Sequence, residues 1–366
     1  MATTTAPTAP PATPATDWRL AIPESRRRWL RGWFWSIAAF TLAVLIVGGI
    51  TRLTRSGLSI VEWNPIMGVI PPLGDAQWQE AFDRYRQFPE YQQLRRGMSL
   101  QEFKFIFFWE YIHRVLARLI GVVFLVPFVF FAVRRWFNRP LAGRSLLLFG
   151  LGASQGLMGW LMVQSGLVDR PSVSHFRLAA HLSLAFLICG CAVWLARELS
   201  LQATRAAVSA GVRRTIARGL ALTGAVLALQ IVWGAFVAGL KAGFIYNTFP
   251  LMGGRWVPAA LGASLLDFVQ HPAAVQWLHR VLGTVLVLVV AGYWFRLRQI
   301  AVDACSLRYA AALLAVVAGQ YLLGVVTLLY SVPIPLGVAH QATALVVFAL
   351  WVAALHHARN LRPARA

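Results

Sequence analysis

Eight apolar stretches, near residues 33–53, 105–133, 143–166, 174–196, 215–239, 274–295, 308–330 and 336–357, dominate this sequence. Each is long enough to cross roughly 30 Å of hydrocarbon at about 1.5 Å per helical residue. Lipid offers no hydrogen-bond partner to an open backbone, so runs of this kind must be helices. A soluble chain of this length would alternate apolar and polar faces. Here Ile37–Ile50, Leu119–Val133 and Val281–Ala291 carry almost no polar interruption, and hydrophobic residues make up 58% of the 366 against 13% charged. The expectation is therefore an all-α polytopic membrane protein with eight transmembrane helices.

The formal charge of +21 raises the question of a nucleic-acid partner. The basic residues answer it, because they sit in short clusters at the ends of the apolar runs, as a topology signal does. With eight spans both termini share a side. If that side is cytoplasmic, its tails and loops hold 20 basic and four acidic residues, against 11 and eight on the other. The positive-inside rule then makes both termini cytoplasmic. Residues 1–32 form a cytoplasmic tail whose Ala-, Thr- and Pro-rich start is read as disordered. The outer segment 54–104 mixes Pro65, Pro71, Pro72 and Pro89 with Trp63, Trp78, Tyr85 and Tyr91, which suits an ordered cap on the membrane surface. Cys189, Cys191 and Cys305 have no ligand spacing and read as packing residues.

Aligned with itself at an offset near 160–166, the chain pairs His113-Arg114-Val115-Leu116 with His279-Arg280-Val281-Leu282. It also pairs His181 with His340, and Gln155 and Gly159 with Gln320 and Gly324. A duplicated unit of four spans predicts two pseudo-symmetric four-helix bundles, 33–200 and 201–366.

His113, His181, His279 and His340 all fall on spans entered from the outer face, one to three turns below it. A lone membrane histidine usually bonds to a neighbouring helix. Four at matched depth, two per repeat, point instead to two pairs of axial haem ligands. Zinc lacks the further Cys, Asp or His that a tetrahedral site needs in either half. Glu110 precedes His113 by three residues on the same helical face, and Gln276 is its neutral counterpart. The carboxylate could relay protons, orient the imidazole or form an ion pair with Arg114 or Arg118. Arg114 and Arg280 are candidate partners for haem propionates. His356 and His357 read as interfacial surface residues, and His175 and His271 as residues of bland role.

Several segments carry a family resemblance: Gly49-Ile50-Thr51-Arg52-Leu53-Thr54-Arg55-Ser56-Gly57-Leu58-Ser59, then Phe88-Pro89-Glu90-Tyr91, then Glu102-Phe103-Lys104 leading to Glu110 and His113-Arg114. They are followed by Arg177 to Leu182, Ala238 to Gly243, Tyr246 to Met252, His279-Arg280 and His340-Gln341. Together they resemble the haem A synthase family over residues 30 to 358. The absence of cysteine between Arg52 and Lys104 resembles its alphaproteobacterial and mitochondrial subgroup, while His175 and His271 depart from the family pattern. The resemblance implies oxidation of a ring methyl of haem O to the formyl of haem A for cytochrome c oxidase, with haem O synthase as an upstream partner. It implies further that His113 and His181 hold haem O with Glu110 at the reacting edge, and that His279 and His340 ligate a haem b cofactor. The rival classes are a two-haem electron-transfer subunit of cytochrome b type and a transporter.

Overall fold

The computed structural model describes residues 17–62, 69–167, 172–200, 206–259, 261 and 264–364. Among them eleven α-helices run in order: α1 Glu24–Leu53, α2 Asp75–Tyr85, α3 Pro89–Leu94, α4 Leu100–Val133, α5 Arg139–Leu167, α6 His175–Glu198, α7 Ala210–Gly239, α8 Asp267–Gln270, α9 Pro272–Arg298, α10 Ala304–Leu329 and α11 Ile334–Arg359. Eight of these, all but α2, α3 and α8, are long and apolar enough to cross a membrane. They correspond one for one to the eight apolar stretches. Most of the tail read as disordered lies outside the described residues, as do Trp63 and Pro65 of the outer segment and three of the arginines counted for orientation, Arg170, Arg205 and Arg365.

Helix ends reach past the apolar runs because caps, not hydropathy, set them. The first span begins at Glu24, well before residue 33. Pro23 stands at its N-cap, and Glu24 in the first turn forms an ion pair with Arg27. α4 begins at Leu100 under a capping box: Ser99 Oγ accepts from Glu102 N–H at 3.3 Å, and Glu102 accepts from Ser99 N–H at 2.8 Å. Such a cap contributes about 1 kcal/mol, and it lies outside lipid. A two-residue parallel pairing of β1, Ala207–Val208, with β2, Arg362–Pro363, ties the α6–α7 connection to the C-terminal segment.

Packing separates two groups of helices. α7, α9, α10 and α11 close a ring in which each packs on the next. Glycines permit its tight crossings: a Cβ at Gly219 would meet Tyr293 at 2.2 Å, and one at Gly224 would meet Trp351 at 2.3 Å. In the other group α1 packs along α4 and α6, and α5 packs along α6. By contrast α4 and α5 barely touch, Phe124 and Phe149 being one contact, at 5.5 Å between ring centroids. These two helices are also the least buried of the eight spans. The groups join through α1 with α11 and α6 with both α7 and α11.

The outer segment builds a small core of its own where α2 and α3 fold over the start of α4. Phe82, Tyr85, Phe103, Ile106 and Phe107 are buried there, with the Tyr85 and Phe103 rings stacked 5.2 Å apart. That cap encloses Glu90, 3.8 Å from Arg95. Burial pushes the Glu90 carboxyl up to about 7.

Candidate functional site

Each of the four histidines is held the same way. His113 on α4 lies over Gly48 of α1, and His181 on α6 over Gly159 of α5. His279 on α9 lies over Gly234 of α7, and His340 on α11 over Gly324 of α10. A Cβ added at these glycines would stand 2.8, 3.3, 3.1 and 2.7 Å from the respective imidazole Cε1. At Gly48 and Gly324 alanine would therefore collide with the ring, and at Gly234 and Gly159 it would crowd it. Glycine is the residue that leaves the imidazole its room. All four Nδ1 atoms are buried without a hydrogen-bond partner. Nδ1 is the ring nitrogen nearer the glycine in every case, so the nitrogen a metal would meet is Nε2.

The histidines fall into two pairs. His113 and His181 lie within electrostatic range of each other. His279 and His340 do so as well, and both line one largely apolar cavity inside the ring of α7, α9, α10 and α11. Gln155 Nε2 sits 3.3 Å from His181 Nε2 and Gln230 Nε2 3.4 Å from His279 Nε2, while Gln320 Nε2 donates to the His340 carbonyl at 2.8 Å. Each glutamine stands four residues before the glycine on its helix. The spacing Gln-x-x-x-Gly thus recurs on three spans, and the fourth has Val44 before Gly48. Sequence analysis found two of these repeats and missed Gln230 with Gly234, although the same spacing would have revealed them.

Glu110 is 2% exposed. Its Oε2 accepts from Ser59 Oγ at 2.7 Å and Ile60 N–H at 2.8 Å, and its Oε1 accepts from Arg114 at 2.7 and 3.1 Å. The expected ion pair with Arg114 is therefore present, fixed to the outer segment through two further donors. Gln276 is buried at the corresponding place. Its Nε2 donates to the Ala242 and Tyr246 carbonyls, at 2.9 and 3.3 Å, and its Oε1 accepts from Arg280 at 3.2 Å.

Arg114 and Arg280 both turn toward outer loops. Arg114 donates to the Glu62 and Ile60 carbonyls at 2.9 and 2.7 Å, and Arg280 to the Thr248 and Tyr246 carbonyls at 2.8 and 2.9 Å. Guanidiniums committed in this way hold the loops over the histidine pairs. The Arg114 Nε and both its terminal nitrogens have acceptors, whereas Arg280 keeps a buried Nε without one.

The remaining histidines have structural roles. His175 Nε2 lies 2.9 Å from the Val269 carbonyl, and His271 caps α9 by accepting from Ala273 N–H at 3.3 Å. The expectation that His356 and His357 are surface residues fails, since they are 6% and 8% exposed. His356 faces Glu198 at 3.7 Å and His357 meets Asp303 at 3.0 Å, so local partners draw them inward. Asp303, Cys305 and His357 bring ligand atoms within 4.8 Å of one another. Asp303 nevertheless already accepts from Cys305 N–H, Ser306 N–H and Ser306 Oγ. That cluster is the N-cap of α10 latched to the last turn of α11.

Comparison with known proteins bears on the same residues. The chain matches the COX15-CtaA family, described as cytochrome oxidase assembly protein, over residues 31–352. It is 47% identical over 327 residues to a haem A synthase of Parvibaculum lavamentivorans, covering 88% of this chain and 92% of that protein. It is 49% identical over 328 residues to one of Rhodospirillum centenum, covering 88% and 87%. A third, from Nitrosospira multiformis, is 43% identical over 325 residues, covering 87% and 91%.

Proposed function

The chain belongs to the COX15-CtaA family of cytochrome oxidase assembly proteins, and from that premise we propose how its residues divide the work of a haem A synthase. The protein is a membrane oxidoreductase that converts haem O to haem A. Haem O is the substrate, and the product serves cytochrome oxidase assembly. The proposal is that His113 and His181 receive haem O, while His279 and His340 hold haem b as a resident cofactor. The observation that carries it is the fourfold histidine-on-glycine cradle, two histidines to each half, with Nε2 on the side away from the glycine. A planar macrocycle between facing imidazoles fits that donor set, and metals requiring thiolate or carboxylate do not.

Turning a methyl into a formyl removes hydrogen and adds oxygen, so a group near the reacting carbon must accept protons. Glu110 is that group in our reading. Ser59, Ile60 and Arg114 fix its two oxygens in place, which holds a proton acceptor at a defined position. Gln276 cannot accept a proton, which supports electron carriage in place of chemistry in the second half. When bound there, haem b supplies one-electron transfer. The loose contact of α4 with α5 also supports the first half as the substrate half, since a substrate must enter and leave. The closed ring of α7, α9, α10 and α11 suits a cofactor that stays.

We place both termini in the cytoplasm and the histidines toward the periplasmic side of a bacterial inner membrane, from the arginine distribution. Haem O synthase is the expected supplier of the substrate. The test is expression with a haem O synthase in a host lacking haem A, followed by chromatography of extracted haems. Haem A together with haem b is the expected result. Haem b alone would reduce the protein to an electron-transfer subunit.

A further inference from the structure

The cavity that contains His279 and His340 is apolar along most of its wall, but its lining also includes three cations: Arg52, Lys241 and Arg280. The terminal nitrogens of Arg280 are engaged by the Thr248 and Tyr246 carbonyls, which leaves only its Nε without a partner. Arg52 and Lys241 differ from it. Among the described residues neither side chain makes a hydrogen bond or an ion pair, although both border the histidine cavity. Lys241 stands just beyond the C-terminus of α7 with φ +54°, a left-handed backbone that a lysine adopts at some cost. Arg52 comes from the last turn of α1 in the other group of helices, so both halves build the mouth of this one cavity.

Two unneutralised cations beside a low-dielectric cavity are unfavourable unless an anion completes them. The surroundings make the deficit worse. Burial, and then the cations of Arg55 and Arg52, hold the Lys241 ammonium below its usual range. Glu90, the acidic group acting on Lys241, also faces Arg95 at 3.8 Å. A haem presents two propionates on one edge, which matches two cations on one cavity wall in number and sign.

We propose that Arg52 and Lys241 form the propionate clamp of the haem held by His279 and His340, the role first expected of Arg280. The assignment rests on the reading of that cavity as the haem b site. It also makes the cofactor site dependent on α1, so the C-terminal half alone would hold its haem without one arm of the clamp.

The experiment uses the full-length purified protein with its bound haem b. Variants are R52A, K241A, the double variant R52A/K241A and the conservative R52K and K241R, with H279A as the reference for loss of the site. Haem per protein, midpoint potential and the rate of haem transfer to an excess of a haem-scavenging globin are measured. Reconstitution with haem and with its propionate dimethyl ester is compared. The double variant should release haem roughly tenfold or more faster than wild type, the scale expected when a desolvated charge pair loses one member. It should also show a lower midpoint potential, while R52K and K241R stay near wild type. Esterification should weaken binding to the wild type and change little in the double variant, the signature of direct coupling. Wild-type release and potential in the double variant, with H279A still devoid of haem b, would overturn the clamp and leave the histidine site standing. Retention of haem b by H279A would overturn the reading of the cavity itself.

Discussion

The two groups of spans share a skeleton and differ in what was laid over it. In each, a histidine pair rests on glycines. An arginine one residue after the first histidine of each pair pins an outer loop, and a buried residue three before that histidine meets the same loop. The first group has a carboxylate there, an outer segment with its own aromatic core and a loose α4–α5 flank. The second has an amide, a closed helical ring and a cavity whose mouth is completed by Arg52 from the first. On the proposed reading, one frame serves two purposes: proton-handling groups and access would mark the half that reacts, and closure with charge the half that retains.

The largest effect that could break this comparison is removal of a ligand. His279→Ala or His340→Ala should deplete bound haem b almost completely, whereas His113→Ala or His181→Ala should leave haem b and disturb bound haem O. Haem extraction from each purified variant decides the matter. Equal loss of one species from all four would merge the two sites.

Next in size is Glu110→Gln, which gives the first half the amide of the second. Haem A formed per bound haem b should fall at least about tenfold, or about 1.4 kcal/mol of transition-state stabilisation, with haem b content unchanged. Wild-type turnover on that measure would remove Glu110 from the chemistry. A fall in yield or haem occupancy first would identify it as a structural partner of Arg114, since breaking a buried pair costs about 3–5 kcal/mol.

The glycines sharpen the comparison by degree. Gly324→Ala and Gly48→Ala place a methyl 2.7 and 2.8 Å from an imidazole, and Gly159→Ala places one at 3.3 Å. Gly324→Ala should cut haem b occupancy several-fold, Gly48→Ala should act on substrate haem alone, and Gly159→Ala should act least of the three. Reduced-minus-oxidised spectra per unit protein read this out, and a strong defect at Gly159 with none at Gly324 would contradict the cradle.

The smallest effect belongs to Glu90 in the cap of the first half. Because burial raises its folded value to about 7, the neutral form is the one the cap prefers. Its contribution to cap stability is full below the ordinary carboxylate range near about 4 and fades as pH rises through about 7. Protection factors over residues 75–99, taken against the intrinsic exchange rate at each pH, should therefore fall between pH 5 and 8, and Glu90→Gln should flatten that fall. An unchanged profile in the variant would remove Glu90 from the effect.

Much of this protein was legible before folding because lipid allows so few solutions. Hydropathy alone marked eight spans, since a backbone in hydrocarbon must be helical. The His-Arg pairs and the Gln-x-x-x-Gly spacing could be read because a helix keeps residues three and four apart on one face. Three-dimensional packing decided what local pattern cannot encode. It set helix ends by caps outside the lipid and drew His356 and His357 inward to Glu198 and Asp303. It turned Arg114 and Arg280 to loop carbonyls, and it brought Arg52 of the first helix to a cavity formed by the last four. Those outcomes depend on which distant groups meet, and periodicity carries no information about partners nearly two hundred residues apart.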